Sequence, residues 1–265
     1  MNRYKFISEG RKHLHTLDGK PLVGGSTAKG IVGKGEALMQ WYADMAAVSA
    51  LSLPVQDIKA EYEAAQKLTD KIARAKAKKA LDEKYPNYAL ARKAAVLSRD
   101  QSAETGTLRH GALEEWIGAC VKKGGTPDPS ITYDATIEKF VEWSTLNVSK
   151  FYFAETYCYH ESLWMGGIGD IGLQLKDGRR LVGDHKSSKE AYQDQFLQCA
   201  IYDVLLNHSG GLDADGNKLF DWELADGYVV FPFRSEPFTP EFRWNADEFR
   251  RGVESVAQLY KLIEL

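Results

Sequence analysis

With 265 residues, 44% of them hydrophobic and 11% aromatic, the chain has enough apolar surface for one large core or two small ones. A formal net charge of −3 excludes an overall cationic field, so any attraction to nucleic acid has to come from a local basic patch. The three cysteines, Cys120, Cys158 and Cys199, form no Cys-x-x-Cys pair, which argues against a disulfide framework, a structural zinc or a four-cysteine cluster.

The first twenty residues lack the apolar run of a signal peptide, and no segment reaches the length of a membrane span. This predicts a cytoplasmic protein without a membrane partner. Residues 1–25 read as short β pieces around a turn at Leu17-Asp18-Gly19-Lys20, followed by the glycine-rich "VGGSTAKGIVGKGE". That stretch fails as a phosphate loop, because Gly35 stands where a hydroxyl residue is required and Ala28 where the first glycine belongs. "DADGNK" from Asp213 likewise fails as a calcium loop, with Lys218 at the turning position and Leu224 at the closing one.

From Glu36 to Arg99 the composition is helical, with Pro54 and Pro86 as expected breaks. The run "KIARAKAKKALDEK" concentrates Lys71, Arg74, Lys76, Lys78 and Lys79 and reads either as a solvated helix face or as a phosphate-binding one. After Ser102, "SAETGTLRHGALEEWIGACVKKG" predicts a capped amphipathic helix with Leu113, Trp116, Ile117 and Cys120 on its apolar face. A helix near 134–147, strands near 151–162, a hairpin over 166–188, a helix ending at the glycines after Ser209, the strand "GYVVFPF" and a terminal helix from Asn245 complete the reading. Helices packed on a central sheet follow as the economical architecture.

The hairpin "GGIGDIGLQLKDGRRLVGDHKSS" turns at Asp177-Gly178 and carries Asp170, Asp184 and Lys186 at its ends. Strand alternation puts Asp184 and Lys186 on one face and His185 on the other, while the turn brings Asp170 close to opposite Asp184. Two carboxylates held that close repel unless a cation or a proton lies between them. Asp170, Asp184 and the backbone carbonyl of His185 offer oxygens suited to Mg²⁺ or Mn²⁺, and Lys186 is placed to act on a water or a phosphate. His110 and Glu114, four apart on one helical face, could both reach a metal. Gln198 and Tyr202, again four apart, follow on the next helix, where core packing explains them equally well.

Taken in order, "GTLRH" with Glu114, "GGIGD", "VGDHKSS" and "QCAIY" resemble the PD-(D/E)XK nuclease superfamily, in its RecB-like exonuclease branch, over about residues 105–203. The segment "GSTAKGIVGKGEALMQWYA" is similar to the one that precedes the core in phage-type and mitochondrial genome-maintenance exonucleases. The resemblance implies an α/β fold with a restriction-endonuclease-like core, a mixed central sheet flanked by helices, over 105–265. An N-terminal hairpin and helical region, 1–104, would pack on it.

By position, His110 becomes the helix-borne metal ligand, Asp170 and Asp184 the carboxylate ligands, and Lys186 the catalytic lysine. Gln198 and Tyr202 become the supporting motif, and Glu114 an acidic position of open role. The implied activity is Mg²⁺- or Mn²⁺-dependent hydrolysis of DNA by an exonuclease of viral or replication-associated origin, working with replication or recombination proteins, in the host cytoplasm if virus-encoded. An endonuclease with the same site and a non-catalytic DNA-binding module are the alternatives. Under the nuclease reading Lys71, Arg74 and Lys78 become candidates for the DNA backbone, and Trp41, Tyr42 or Trp164 for base stacking.

Overall fold

The structure is a computed structural model that describes residues 2–9, 12–29 and 55–263. The chain divides into two compact units, Met1–Gly33 with Thr105–Leu265, and Lys34–Glu104. Residues up to Gly33 thus group with the larger part of the chain and not with the helices they were expected to accompany. Strand pairing explains this.

Strands β1 (Tyr4–Glu9), β2 (Lys12–Leu17) and β3 (Lys20–Pro21) form a small antiparallel sheet. The expected turn sits between β2 and β3, with Asp18 and Gly19 at φ 50° and 75°, the left-handed pair that a tight hairpin turn requires. Two residues later β4 (Val23–Gly24) pairs in parallel with β6 (Met165–Leu175) of the main sheet, which ties the N-terminus to it.

The main sheet is eight-stranded and mixed. Its path runs β11 (Glu241–Arg243), β10 (Gly227–Pro232), β7 (Arg180–Lys186), β6, β5 (Val148–His160), β8 (Gly211–Leu212) and β9 (Lys218–Phe220). β10 and β7 are parallel, whereas β5, β6 and β7 form an antiparallel run.

Side-chain alternation decides what covers each face. Leu173, Leu181, Val229 and Phe231 meet Leu113, Trp116, Ile117 and Cys120 of a long helix, together with Phe140 and Val141 of a shorter one. Phe153, Val182 and Val230 point the other way, into Phe196, Cys199, Ile201 and Leu205, with Val253 and Val256 behind. Helices therefore cover both faces, and each fully buried Leu, Val or Phe contributes about 1.5–3 kcal/mol. The three cysteines are free and buried.

The helices, in chain order, are α1 (Gly25–Lys29), α2 (Val55–Gln66), α3 (Lys71–Lys84), α4 (Pro86–Lys122), α5 (Glu138–Asn147), α6 (Gln193–Ser209) and α7 (Ala246–Ile263). Two boundaries differ from the sequence expectation. α4 runs unbroken through Ser102, because no proline interrupts 87–122 and Pro86 takes the first helical position, where its missing N–H is no loss. Besides the expected break at Pro86, a further one between α2 and α3 comes from Asp70, whose carboxylate accepts from the N–H groups of Ile72 and Ala73 at 3.2 and 2.9 Å. Within the smaller unit, Glu61 of α2 accepts from Lys84 and Tyr85 at 2.5 and 3.0 Å.

Candidate metal centre

β6 stays paired with β5 along its length and β7 with β10, but the ladder between β6 and β7 ends at Ile171↔Gly183. Beyond that pair the sheet forks. Continuing the register by one step sets Asp170 across from Asp184, the two carboxylates standing where the fork opens. On the other side of β6, the pairs Ala154↔Ile171 and Thr156↔Gly169 set Glu155 across from Asp170. Three acidic residues thus occupy one row over three adjacent strands.

Asp184 is fully buried, and Lys186 Nζ lies 2.7 Å from each of its carboxylate oxygens. The geometry satisfies only one of them, leaving Oδ2 without a hydrogen bond. The carboxyl groups of Asp170 and Asp184 lie within hydrogen-bonding reach of each other. Burial and the neighbouring negative charge push Asp184 up to about 7, against the pull of Lys186. Burial acts on Asp170 as well, but hydrogen bonds to Asp184 and His110 hold it below the ordinary carboxylate value. Burial opposes the charge on Lys186, and the two carboxylates outweigh it, raising the ammonium above its usual value.

His110 comes down from α4 onto this row. Its Nδ1 lies 2.5 Å from Glu155 Oε1 and its Nε2 3.8 Å from Asp170 Oδ2. Burial works against its protonation, yet the hydrogen bonds to Asp170 and Glu155 lift it to about 10. Glu155 thereby fixes the ring's orientation, as a carboxylate behind a ligating histidine does. Glu155 is also held at φ 46°, a conformation that strains a residue with a side chain by about 1–3 kcal/mol and marks the position as over-determined by its surroundings. Its role was absent from the sequence reading, where the signal was an acid set among the aromatic residues of β5.

His185 was expected to offer only its backbone carbonyl, with the ring turned away. The ring does leave the Asp184 face, but the fork lets groups from both faces meet. Its centroid is 4.0 Å from that of His110, and its Nδ1 is 3.8 Å from Asp170 Oδ2. Neither ring nitrogen has a hydrogen-bond partner, and burial, with the positive His110 beside it, pushes the ring down to about 3, hence neutral. Among the described residues, His110, Asp170 and His185 bring donor atoms within 4.8 Å of one another. The carboxylate of Asp184 lies outside that group and engages Lys186.

Gln198 and Tyr202 lie buried on α6, with Gln198 Nε2 donating to Tyr202 Oη at 3.1 Å. Burial, with the negative Asp170 and Asp184, raises the Tyr202 hydroxyl well above its usual value. The glycine group before Asp170 serves this packing: a Cβ on Gly167 would come within 2.6 Å of Tyr202 Cε1. Gly106 does the same for α4, since a Cβ there would lie 3.0 Å from Ser187 Oγ.

Glu114 is exposed, one turn beyond His110, and does not join the donor group. Burial and Glu155 raise its carboxyl while His110 lowers it. Of the basic residues expected on DNA, Lys71 opens α3, Arg74 donates to the carbonyl of Leu68 at 3.0 and 2.7 Å, and Lys78 stands 5.6 Å over the Tyr62 ring. Arg74 thus already has an internal partner. Trp164 is likewise tied inward, its Nε1 donating to the carbonyl of Pro21 at 3.0 Å. Trp41 and Tyr42 lie outside the described residues.

The donor set fits a divalent cation. Two crowded carboxylates, an unbonded buried oxygen on Asp184 and a neutral histidine without partners are the groups such an ion satisfies. Carboxylate oxygens mixed with imidazole suit Mn²⁺ at least as well as Mg²⁺, which keeps to oxygen donors. No protein-family model matches the chain, and no curated protein matches it. No described helix is long and apolar enough to cross a membrane.

Proposed function

We propose that the chain is a Mg²⁺- or Mn²⁺-dependent DNA exonuclease with a restriction-endonuclease-like core, as its resemblance to the RecB-like PD-(D/E)XK branch implies. The observation that supports it most is the meeting of Asp170, Asp184, Lys186 and His110 where β6 and β7 separate. Asp170, Asp184 and His110 would hold the ion, with the ring of His185 beside them. A bound divalent ion polarises a phosphoryl oxygen and lowers the pKa of water at the site.

The chain's own groups do the rest. Lys186, held as an ammonium by the carboxylates, donates to a phosphate oxygen or to the incoming water and offsets negative charge that develops on the phosphorus centre. Glu155 accepts from His110 Nδ1 and leaves Nε2 facing Asp170 and the ion. Tyr202 and Gln198 support the carboxylates from α6 and exclude water beneath them.

The test incubates labelled linear single-stranded, linear duplex and closed circular DNA with Mg²⁺ or Mn²⁺, using wild type, Asp184→Ala and Lys186→Ala. Digestion of linear but not circular DNA, lost in both variants, is expected. Nicked circles would convert the reading to an endonuclease. DNA left intact by the wild type with either metal would sink the enzymatic reading.

A further inference from the structure

The small N-terminal sheet meets the main sheet through a row of rings, and the row leads toward the metal centre. Tyr4 of β1 stacks on Tyr159 of β5 at 5.3 Å between centroids, and Phe6 lies on Tyr157 at 4.7 Å. Each contact moves two residues forward on β1 and two back on β5. The next step along β5 is Glu155, which holds His110 at 2.5 Å. Same-face neighbours on a strand are about 7 Å apart, so the rings stop one such step short of the acids.

On the small sheet the next inward pair is Ser8↔His13, following Tyr4↔Leu17 and Phe6↔His15. The two sheets part in that direction. Tyr4 and Leu17 are buried, Phe6 and Tyr157 half-buried, and Ser8 and His13 exposed. His13 lies flat against Phe6, the centroids 5.7 Å apart and the planes within 10°. The row thus ends in an imidazole that meets solvent, at the edge of the sheet that reaches toward Glu155 and Asp170.

Packing explains Tyr4, His15 and Tyr159, which close the joint between the sheets. It does not explain why the stack continues outward to an exposed ring on the side of the acids. A group that completes the stack needs a flat face, and one that also reaches the metal centre needs an anion about one strand step away. A nucleotide carries both, its base and its phosphate joined by one sugar. We infer that His13, backed by Phe6 and Tyr157, forms a stacking wall for one unpaired base beside the phosphate held at the Asp170–Asp184 centre. The wall rests on the nuclease reading for its ligand. It adds that the base at this position has to leave its partner, since a paired base within a duplex has both faces covered. Trp41, Tyr42 and Trp164, the rings expected on bases from the sequence, are not part of it.

A short single-stranded DNA bound in Ca²⁺ tests this, with 2-aminopurine, whose fluorescence falls on stacking, placed at one position at a time. A second series carries a single abasic residue walked along the same strand and is followed by anisotropy. In wild type one position should be quenched far more than its neighbours, and an abasic residue there should weaken binding roughly tenfold. His13→Ala should lose that quenching and bind the intact strand roughly tenfold more weakly, yet bind the strand abasic at that position as wild type does. His13→Phe, which keeps a flat face, should restore both. In cleavage, His13→Ala should raise KM with kcat little changed. Thermal melting checks folding, and His13, being exposed, carries the test if Phe6→Leu fails to fold.

Quenching that survives in His13→Ala, or an equal loss on intact and abasic strands, would overturn the wall. The nuclease would stand if the wild type still cleaved DNA. Binding without a preferred position in wild type would also overturn it, since the strand would then be held by its backbone alone. Position-specific quenching that His13→Ala removes, in a protein that cleaves nothing, would keep the wall and remove the nuclease.

Discussion

Two aspartates, Asp203 on α6 and Asp184 on β7, are equally buried and each has a basic partner, but the rest of their surroundings differ. Asp203 on α6 accepts from Trp222 Nε1, the Ala225 N–H, Tyr228 Oη and Arg250 Nε at 2.9, 2.9, 3.1 and 2.9 Å. Every lone pair that matters has a donor. Asp184 has Lys186 alone, one oxygen without a hydrogen bond, and a second carboxylate against it. A buried charge that is fully bonded ties elements together, whereas a buried charge left short of partners is held in place by the rest of the fold for something that binds.

Activity is where the two aspartates differ most. Asp184→Ala or Lys186→Ala should lower single-turnover DNA cleavage by roughly a thousandfold or more while the circular dichroism spectrum is kept. Asp203→Ala should do the reverse. Removing it strands Arg250 and the Trp222 N–H, so urea unfolding is expected to show a loss of about 3–5 kcal/mol. Comparable losses of stability from both aspartates would erase the distinction.

Metal binding gives the next largest effect. Mn²⁺ at a hundred times its dissociation constant should stabilise the wild type by about 2.7 kcal/mol in thermal unfolding. Asp170→Asn should shift far less, and an isotherm identical to wild type would remove Asp170 from the ligand set.

A third buried polar group lies between the two extremes. His15 has one partner, Tyr4 Oη at 2.6 Å, and burial, helped by His13, pushes its ring down to about 4. The unfolded ring titrates near 6.5, so on acidification the unfolded state takes up the proton first and stability is lost as pH falls from about 6.5 to 4. By pH 5 the loss from this residue is about 2 kcal/mol. Equilibrium unfolding of wild type and His15→Gln at pH 7.5 and 5.0 measures it, and an equal pH dependence in both would assign the effect elsewhere.

The smallest effect has the opposite sign. Asp184→Asn in metal-free protein should raise stability by about 1 kcal/mol, because it relieves the repulsion from Asp170. A lower melting temperature for this variant would make Asp184 a structural residue like Asp203.

Much of this contrast was legible in the residues. Alternation and the Asp177-Gly178 turn brought Asp170 opposite Asp184 and put Asp184 with Lys186 on one face, and the structure keeps that arrangement. The i, i+4 spacing of Gln198 and Tyr202 appears as a direct hydrogen bond. Glu155 was not legible, because its partner His110 lies 45 residues away, 155 minus 110, on another element. Nor did the residues show that the His185 ring would re-enter the site.

Local chemistry by itself determined the turns, the helix starts at Pro86 and after Asp70, the two-faced strands and the acids at the hairpin's ends, since each depends on neighbours within a few positions. Only the tertiary structure decided that β7 stays paired with β10 through Lys186 while its ladder with β6 stops at Gly183. The pairing with β10 joins segments far apart in the chain, and the early end of the β6 ladder opens the fork where Glu155, His110 and His185 stand beside the two aspartates.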